Sequence, residues 1–471
     1  MGKDVSLAEK QYVELYEQQR DVIMAHAPQV MNAVRDAAFE RFCREGFPSR
    51  KVERYKYTDM QKLMAPDLGL NLKRLDIPVD PYQAFRCDVP NLSTQLYFMV
   101  NDMFYGRGEK QEVRGESGER QEVRGERIAL PDGVIVGSLK ELSSHPSPLT
   151  SHLQTDYNRL AGADGDALTD LNTMLAQDAL VVYVPRGVRV EKALQVVNIL
   201  RCDVPLMVNR RVLIVAEQGA EVTMLFCDHA ADDHEFLTTQ VIEVYAHQDA
   251  IVNLYCLEET HAKNVRVSNV YVEQQAGSRV NHNIITLHNG VTRNKLDLHL
   301  CGEGAECQCY GCVIADKQQH VDNNTLITHH APHCTSNELY KYVLNDASTG
   351  AFAGRILVQP GAQQTSSLMT NQNLCSSDQA HMYTQPMLEI YADDVKCSHG
   401  STVGQLNDAA LFYMQQRGIP QEEARTLLEV AFINQVIDQM ELPALRDRLH
   451  YLVDKRFRGE LNKCRGCQLC R

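Results

Sequence analysis

The chain has no tryptophan, and its positive side chains are in deficit: 47 Lys and Arg stand against 61 Asp and Glu, a formal net charge of -14. Such a balance repels phosphate at long range, so nucleic acid and anionic membrane surfaces are not expected partners. No apolar run approaches the roughly 18 residues that cross a bilayer. The start, Met1-Gly2-Lys3-Asp4, carries no apolar segment resembling a signal peptide, which makes the cytoplasm the expected compartment. Phosphate-binding loops are missing as well. There is no G-x-x-x-x-G-K-[ST], whose glycines let backbone amides wrap an anion, and no G-x-G-x-x-G between a strand and a helix. G-x-S-x-G and H-E-x-x-H are also absent. ATP hydrolysis is therefore not expected of this chain, and any energy input must come from a partner.

What is present describes a large folded protein. Its 471 residues, 44% apolar and 23% charged, suffice for two to three domains with a sizeable core. The fifteen cysteines are odd in number and scattered, which argues for reduced thiols over a disulfide framework.

Residues 1–94 read as a helical N-terminal domain. Ser6 and Glu9 form a capping box ahead of an apolar stripe through Ala8, Tyr12, Leu15, Tyr16 and Ile23. A second helix fits between Pro28 and Gly46, with Val30, Val34, Ala37, Ala38 and Phe42 as its buried face. Residues 95–403 read as a β core. Short β-rich runs from about residue 131 onward, such as Ala179 to Val184, Leu194 to Leu200 and Ile251 to Tyr255, are separated by Gly, Asn, Asp or Gln without helical periodicity. That many strands fit a sandwich, a barrel or a solenoid, and the length favours a β-helix. Within this core, residues 106–127 repeat Gln-Glu-Val-Arg-Gly-Glu and offer almost nothing to bury, which predicts a solvated insertion. Residues 404–471 read as a C-terminal helical domain. Asn407 or Asp408 caps a helix ending at Gly418, Pro420 starts a second carrying Ala424, Leu427, Leu428, Ala431 and Val436 inward, and Pro443 opens a third.

Four clusters could carry chemistry. Cys397-Ser398-His399 lies at the junction of the β core and the C-terminal helices. On a strand, residues 397 and 399 share a face roughly 6 to 7 Å apart, so thiolate and imidazole can converge on a metal. Two ligands do not close a tetrahedral site, so such a site would borrow ligands from another surface; the bland reading is a buried thiol beside a hydrogen-bonded histidine. His329, His330, His333 and Cys334 are dense in donors, but neighbours on a strand face opposite sides and Pro332 interrupts the ladder, which favours a structural role. Cys307 and Cys309 share a face, and with Cys312 they read as core packing. The tail Cys464, Cys467 and Cys470 has the C-x2-C-x2-C opening of a cluster-binding run without a fourth cysteine. It either holds a cluster with one open position or is an oxidation-prone tail.

The stretch Pro386-Met-Leu-Glu-Ile-Tyr-Ala-Asp-Asp-Val-Lys-Cys-Ser-His-Gly-Ser-Thr-Val-Gly404, followed by Leu411-Phe-Tyr-Met-Gln-Gln-Arg-Gly-Ile419, resembles the C-terminal signature of the SufB/SufD family. Gly350-Ala-Phe-Ala-Gly-Arg-Ile356, Ala362-Gln-Gln-Thr365, Asn371-Gln-Asn-Leu374, Gly46-Phe-Pro48 and Tyr55-Lys-Tyr-Thr58 also resemble family segments. Lys-Cys-Ser-His-Gly is similar to the SufD branch, whereas the SufB branch typically has a Glu before its histidine. The resemblance implies a mainly β protein with a right-handed parallel β-helix core flanked by helical domains. It implies a non-ATPase scaffold subunit for iron–sulfur cluster assembly that pairs with a SufB-type subunit through the end of the helix. It further implies docking of a SufC-type ABC ATPase by the C-terminal helices, where Leu411, Phe412, Tyr413 and Arg417 are the expected contacts. Cys397 and His399 become candidate interfacial ligands for a cluster that is transient and shared, with none held tightly by the isolated chain, which could also pair with itself. Tyr55 where Trp is usual, Cys375 where Leu is usual, the charged insertion and the cysteine tail depart from the pattern.

Two other readings compete. A β-helical polysaccharide enzyme would usually be secreted and would use Trp for sugar stacking, and a cupin-like metal-binding enzyme would use the histidines.

Overall fold

The computed structural model describes residues 6–79, 81, 94–105, 129–143 and 149–460, and the backbone of Glu112–Arg114 and Arg120–Glu122. Its body is built from a sheet of 10 strands and a sheet of 9. From Leu180–Val184 to Val395–Gly404, successive strands alternate between the two sheets. Leu194–Leu200 pairs with Glu221–Ala230, while the intervening Leu206–Ala216 pairs with Phe236–Ala246 in the other sheet. Every pairing within this run is parallel. Parallel strands need a long return connection, and here each return is the strand of the opposite sheet. The result is a β-solenoid flanked by N-terminal and C-terminal helices.

Its interior is a column of Val, Leu, Ile and Ala, including Val182, Leu194, Val222, Val252, Val280 and Leu298. Strands such as Leu206–Ala216 and Phe236–Ala246 are buried at every position, on both faces, because helices cover their outer side. The polar residues that separate apolar runs in the sequence lie inside strands and form ladders across coils. Asn281 donates to Asn253 at 2.7 Å, Thr239 to Asn209 at 2.7 Å and Asn294 to Asn323 at 2.9 Å. Strands therefore extend past the apolar runs: Ile251 to Tyr255 becomes Ile251–Glu259, and Ile284 to Leu287 becomes Arg279–His288.

Two helices open the described chain, α1 (Leu7–Ala25) and α2 (Gln29–Glu45). The Ser6–Glu9 capping box is formed, and Gly46 ends α2 at φ 59°, a conformation that favours glycine. Ala38 and Phe42 of the expected face of α2 are buried, together with Met31 and Arg35; Val30 and Val34 pack half-buried beside Met31, and Ala37 is exposed. Arg35 is buried because it closes a helix end. Its guanidinium donates to the carbonyls of Thr173 (2.8 Å), Met174 (2.7 Å) and Ala176 (2.5 Å), closing the C-terminal end of α3 (Ala167–Leu175). α3 is one of four short helices between Leu139 and Leu175, inside the segment whose pattern shows no helical periodicity. Each is only four to nine residues long, too short to display a repeat. α1, α2 and α3 pack on Met207, Leu237 and Val267, the outer face of the 9-stranded sheet.

Three helices end the described chain: α4 (Asp408–Gln416), α5 (Gln421–Ile437) and α6 (Pro443–Phe457). Asn407 caps α4, accepting from the amides of Ala409 and Ala410. Ile433, Val436 and Ile437 of α5 and Leu445, Leu449 and Leu452 of α6 cover Leu225, Tyr255, Ile285 and Tyr310 on the 10-stranded sheet. Leu427 lies outside this contact, 37% exposed. Within 106–127, Glu112–Arg114 and Arg120–Glu122 pair antiparallel, and the rest of that insertion lies outside the described residues.

Candidate functional site

The solenoid stops at Gly404, so its last coil has neighbours on one side only. His381–Ile390 pairs with Thr349–Val358, and Val395–Gly404 pairs with Thr365–Cys375; each is the end strand of its sheet. Exposed edges of this length present unpaired backbone donors and acceptors that template pairing with another chain. Tyr383, Ile390, Tyr391 and Val403 are exposed around this end, an apolar rim on and just after the two terminal strands.

Cys397 and His399 lie on the terminal strand and share its inward side, as their spacing predicts. Cys397 stands over Ser367 and His399 over Met369 in the parallel register. Cys397 is half-buried against the interior column, whereas His399 is exposed at the mouth. Burial pushes the Cys397 thiol up, against a backbone hydrogen bond at Ser367 that favours the thiolate. A metal ligand must be the thiolate, so binding a metal here must release the thiol proton against this shift.

Beneath these two residues runs a feature that no local motif discloses. The parallel registers stack His282, Cys309, Glu338, Met369 and His399 in one file, and Cys307, Ser336, Ser367 and Cys397 in the adjacent file. Neighbours in a file are separated by the interstrand spacing of about 4.8 Å. Inside, burial disfavours the charged forms of His282, Glu338 and Cys309. Burial lowers His282 to about 4, and neither ring nitrogen has a hydrogen-bond partner. Burial raises Glu338 to about 7, and Thr325 donates to it at 2.7 Å. The Cys309 thiol is raised well above its ordinary range, first by its hydrogen bond with Cys307 and then by burial. Ser336 and Ser367 share a 2.6 Å hydrogen bond, and His329 Nε2 lies 2.9 Å from Ser336 Oγ. The signal in the sequence is the coil repeat, which returns an inward position after 28 residues from Leu254 to His282 but after 30 from Met369 to His399; that drift hides it.

The other clusters resolve simply. Cys307 and Cys309 face the interior, and Cys312 faces the C-terminal helices, all buried. His329 points inward, while His330 turns outward to stack on His299. His333 sits at φ 60°, half-exposed beside Glu303. These histidines do not converge on one point. Cys464, Cys467 and Cys470 lie outside the described residues.

Beside the terminal strand, a groove of about 410 Å3 separates Thr402 and Gly404 from Phe432 and Gln435 of α5. Lys341 enters it, its ammonium 4.2 Å from the Phe432 ring centre and donating to Gln435. Burial brings Lys341 down to about 8. α4 follows at the same end and has no fully buried residue. Leu411 is half-buried, Phe412 and Tyr413 are 61% and 57% exposed, and the Arg417 guanidinium covers the Tyr413 ring at 4.5 Å. On the opposite sheet, the segment around Tyr55 is tied down: Arg54 pairs with Asp297, Arg293 stacks on the Tyr55 ring at 4.2 Å, and Tyr57 stacks on Tyr383 at 4.9 Å.

Residues 200–432 match the family described as SUF system FeS cluster assembly, SufBD core domain, and residues 6–196 match the SufBD protein N-terminal region. The chain is 26% identical to an iron-sulfur cluster assembly SufBD family protein of Synechocystis, covering 87% of each chain. It is 26% identical to the iron-sulfur cluster assembly protein SufD of Escherichia coli over 89% of this chain and 92% of that one. It is also 26% identical to protein ABCI7, chloroplastic, of Arabidopsis thaliana, over 89% and 84%. Two adjoining family matches that together span nearly all the described residues, on a solenoid ending in the Cys397–His399 strand, lead to one conclusion: the chain belongs to the SufBD family of the SUF iron–sulfur cluster assembly system.

Proposed function

We propose that this chain is a SufD-type scaffold subunit of the cytoplasm. In this reading it pairs with a SufB-type subunit through the open solenoid end, docks a SufC-type ATPase on α4 and contributes Cys397 and His399 to a cluster assembled as cargo between subunits. The observation that carries the reading is the unpaired terminal strand, which presents a thiol and an imidazole on one face but too few ligands to close a site. A second subunit adding strands at that edge would supply the missing donors and cover Tyr391 and Val403. In isolation, the same edge could pair two copies of this chain.

Leu411, Phe412, Tyr413 and Arg417 offer the ATPase an aromatic anchor beside a cation, the residue types that dominate interface energetics. The sequence carries no ATP-binding loop of its own, so the partner supplies the energy. Approach of two ATPases on nucleotide binding would strain the shared strand edge and change the surroundings of Cys397, allowing the half-buried thiol to become a ligand. The test is to tag the chain in its native cytoplasm, purify it anaerobically and identify bound proteins by mass spectrometry. An ABC-type ATPase and a SufB-type chain are the expected result, and recovery of this chain alone in repeated gentle preparations would overturn the reading.

A further inference from the structure

Far from the terminal strand, the helix Leu149–Thr155 lies against the edge where the first full coils turn. His152 and Asp156 are one helical turn apart. Glu217 and His247 directly follow Ala216 and Ala246, which are register partners in neighbouring coils, so the two stand one above the other. His152 Nδ1 lies 2.8 Å from Asp156 Oδ2, and its Nε2 lies 2.7 Å from Glu217 Oε1. The His247 ring is 5.9 Å from the His152 ring at 67°. One donor atom from each of His152, Asp156 and His247 falls within 4.8 Å of the other two. His247 Nε2 is buried and has no hydrogen-bond partner, an unfavourable arrangement unless something satisfies it.

We propose that His152, Asp156 and His247 bind a divalent first-row transition ion, with zinc the best match. Two imidazoles and a carboxylate suit zinc, whereas calcium and magnesium prefer oxygen alone. Donors around a tetrahedral zinc at 2.0–2.1 Å stand about 3.4 Å apart, which these three reach by side-chain rotation. Glu217 accepts the Nε2 proton of His152, and that fixes the tautomer whose Nδ1 lone pair faces the ion. The unsatisfied His247 nitrogen becomes the third ligand, and water takes the fourth position. The ion would fasten the helix to two successive coils and is separate from any cluster assembled at Cys397 and His399. His152 held between two carboxylates, without metal, would leave His247 unexplained.

The test uses the full chain carrying Cys464→Ser, Cys467→Ser and Cys470→Ser, stripped with a chelator and titrated with Co2+. One equivalent should bind with visible d–d bands and no sulfur-to-cobalt charge-transfer band. Zn2+ should then raise the thermal midpoint. His247→Gln removes a ring whose Nε2 has no hydrogen-bond partner, so folding should survive while affinity falls about 100-fold or more and the zinc-induced shift disappears. Asp156→Asn, close to isosteric, should do the same. Absence of a thiolate-free cobalt spectrum, or equal affinity in His247→Gln and its parent, would overturn the site.

Discussion

Arg211 and Glu243 form an ion pair, Nη2 to Oε2 at 2.9 Å, with both side chains fully buried under the helical layer that covers the 9-stranded sheet. Glu243 also accepts from the amides of Asn158 (2.8 Å), Leu160 (3.0 Å) and Ala161 (3.1 Å), so one carboxylate ties a strand to the segment crossing it. Glu243→Ala leaves Arg211 charged and uncompensated in the interior. A loss of about 3–5 kcal/mol is expected in chemical denaturation. A loss below about 1 kcal/mol would mean that water reaches the guanidinium.

That pair also marks where the sequence stops being legible. Apolar runs such as Leu194 to Leu200 announce their strands because β-branched residues recur between turn residues. Arg211, Asn253 and Asn281 give no such signal: a polar residue is read as a boundary, yet each bonds to a neighbour one coil away. Arg35 misleads in the same way, since a charge on a helix is assigned to solvent until a helix end is found for it to close. Cys397 and His399 were legible because their relationship is local, an alternation along one strand. The file beneath them is not, because it exists only once the coils are in register.

Glu338 carries a pH dependence. Its carboxyl is raised to about 7 by burial, with only Thr325 to offset that penalty. Because the folded value exceeds the unfolded one, the folded state binds the proton more tightly. This contribution is therefore complete below about pH 4.5 and is lost as pH rises through 7. Glu338→Gln keeps the shape without the charge. The variant should be more stable than the parent at pH 8, by up to about 3 kcal/mol, and close to it at pH 5. Parallel unfolding curves for the two proteins across that range would show that Glu338 is already paired.

His399→Ala tests the terminal strand. The side chain is exposed, so stability should change by no more than about 0.5 kcal/mol. Activity of iron–sulfur enzymes in cells depending on this chain should fall several-fold, with unchanged protein level and unchanged thermal midpoint. Undiminished activity would remove His399 from cluster assembly and leave Cys397 to be examined alone through Cys397→Ser.

Phe412 and Tyr413 test the proposed ATPase docking surface, and the geometry separates binding from folding. α4 is held by its Asn407 cap and by Gly418 at φ 85°, neither of which involves the aromatic rings. The rings themselves are more than half exposed, so removing them uncovers little. Buried against a partner, an aromatic anchor is typically worth about 2 kcal/mol or more. The double variant Phe412→Ser, Tyr413→Ser should therefore weaken binding of a purified SufC-type ATPase by about 100-fold or more in calorimetric titration, chiefly through faster dissociation. Its thermal unfolding should match that of the parent. Undiminished affinity would move docking off α4, and the groove beside Lys341, which shares this end of the molecule, would become the next surface to alter.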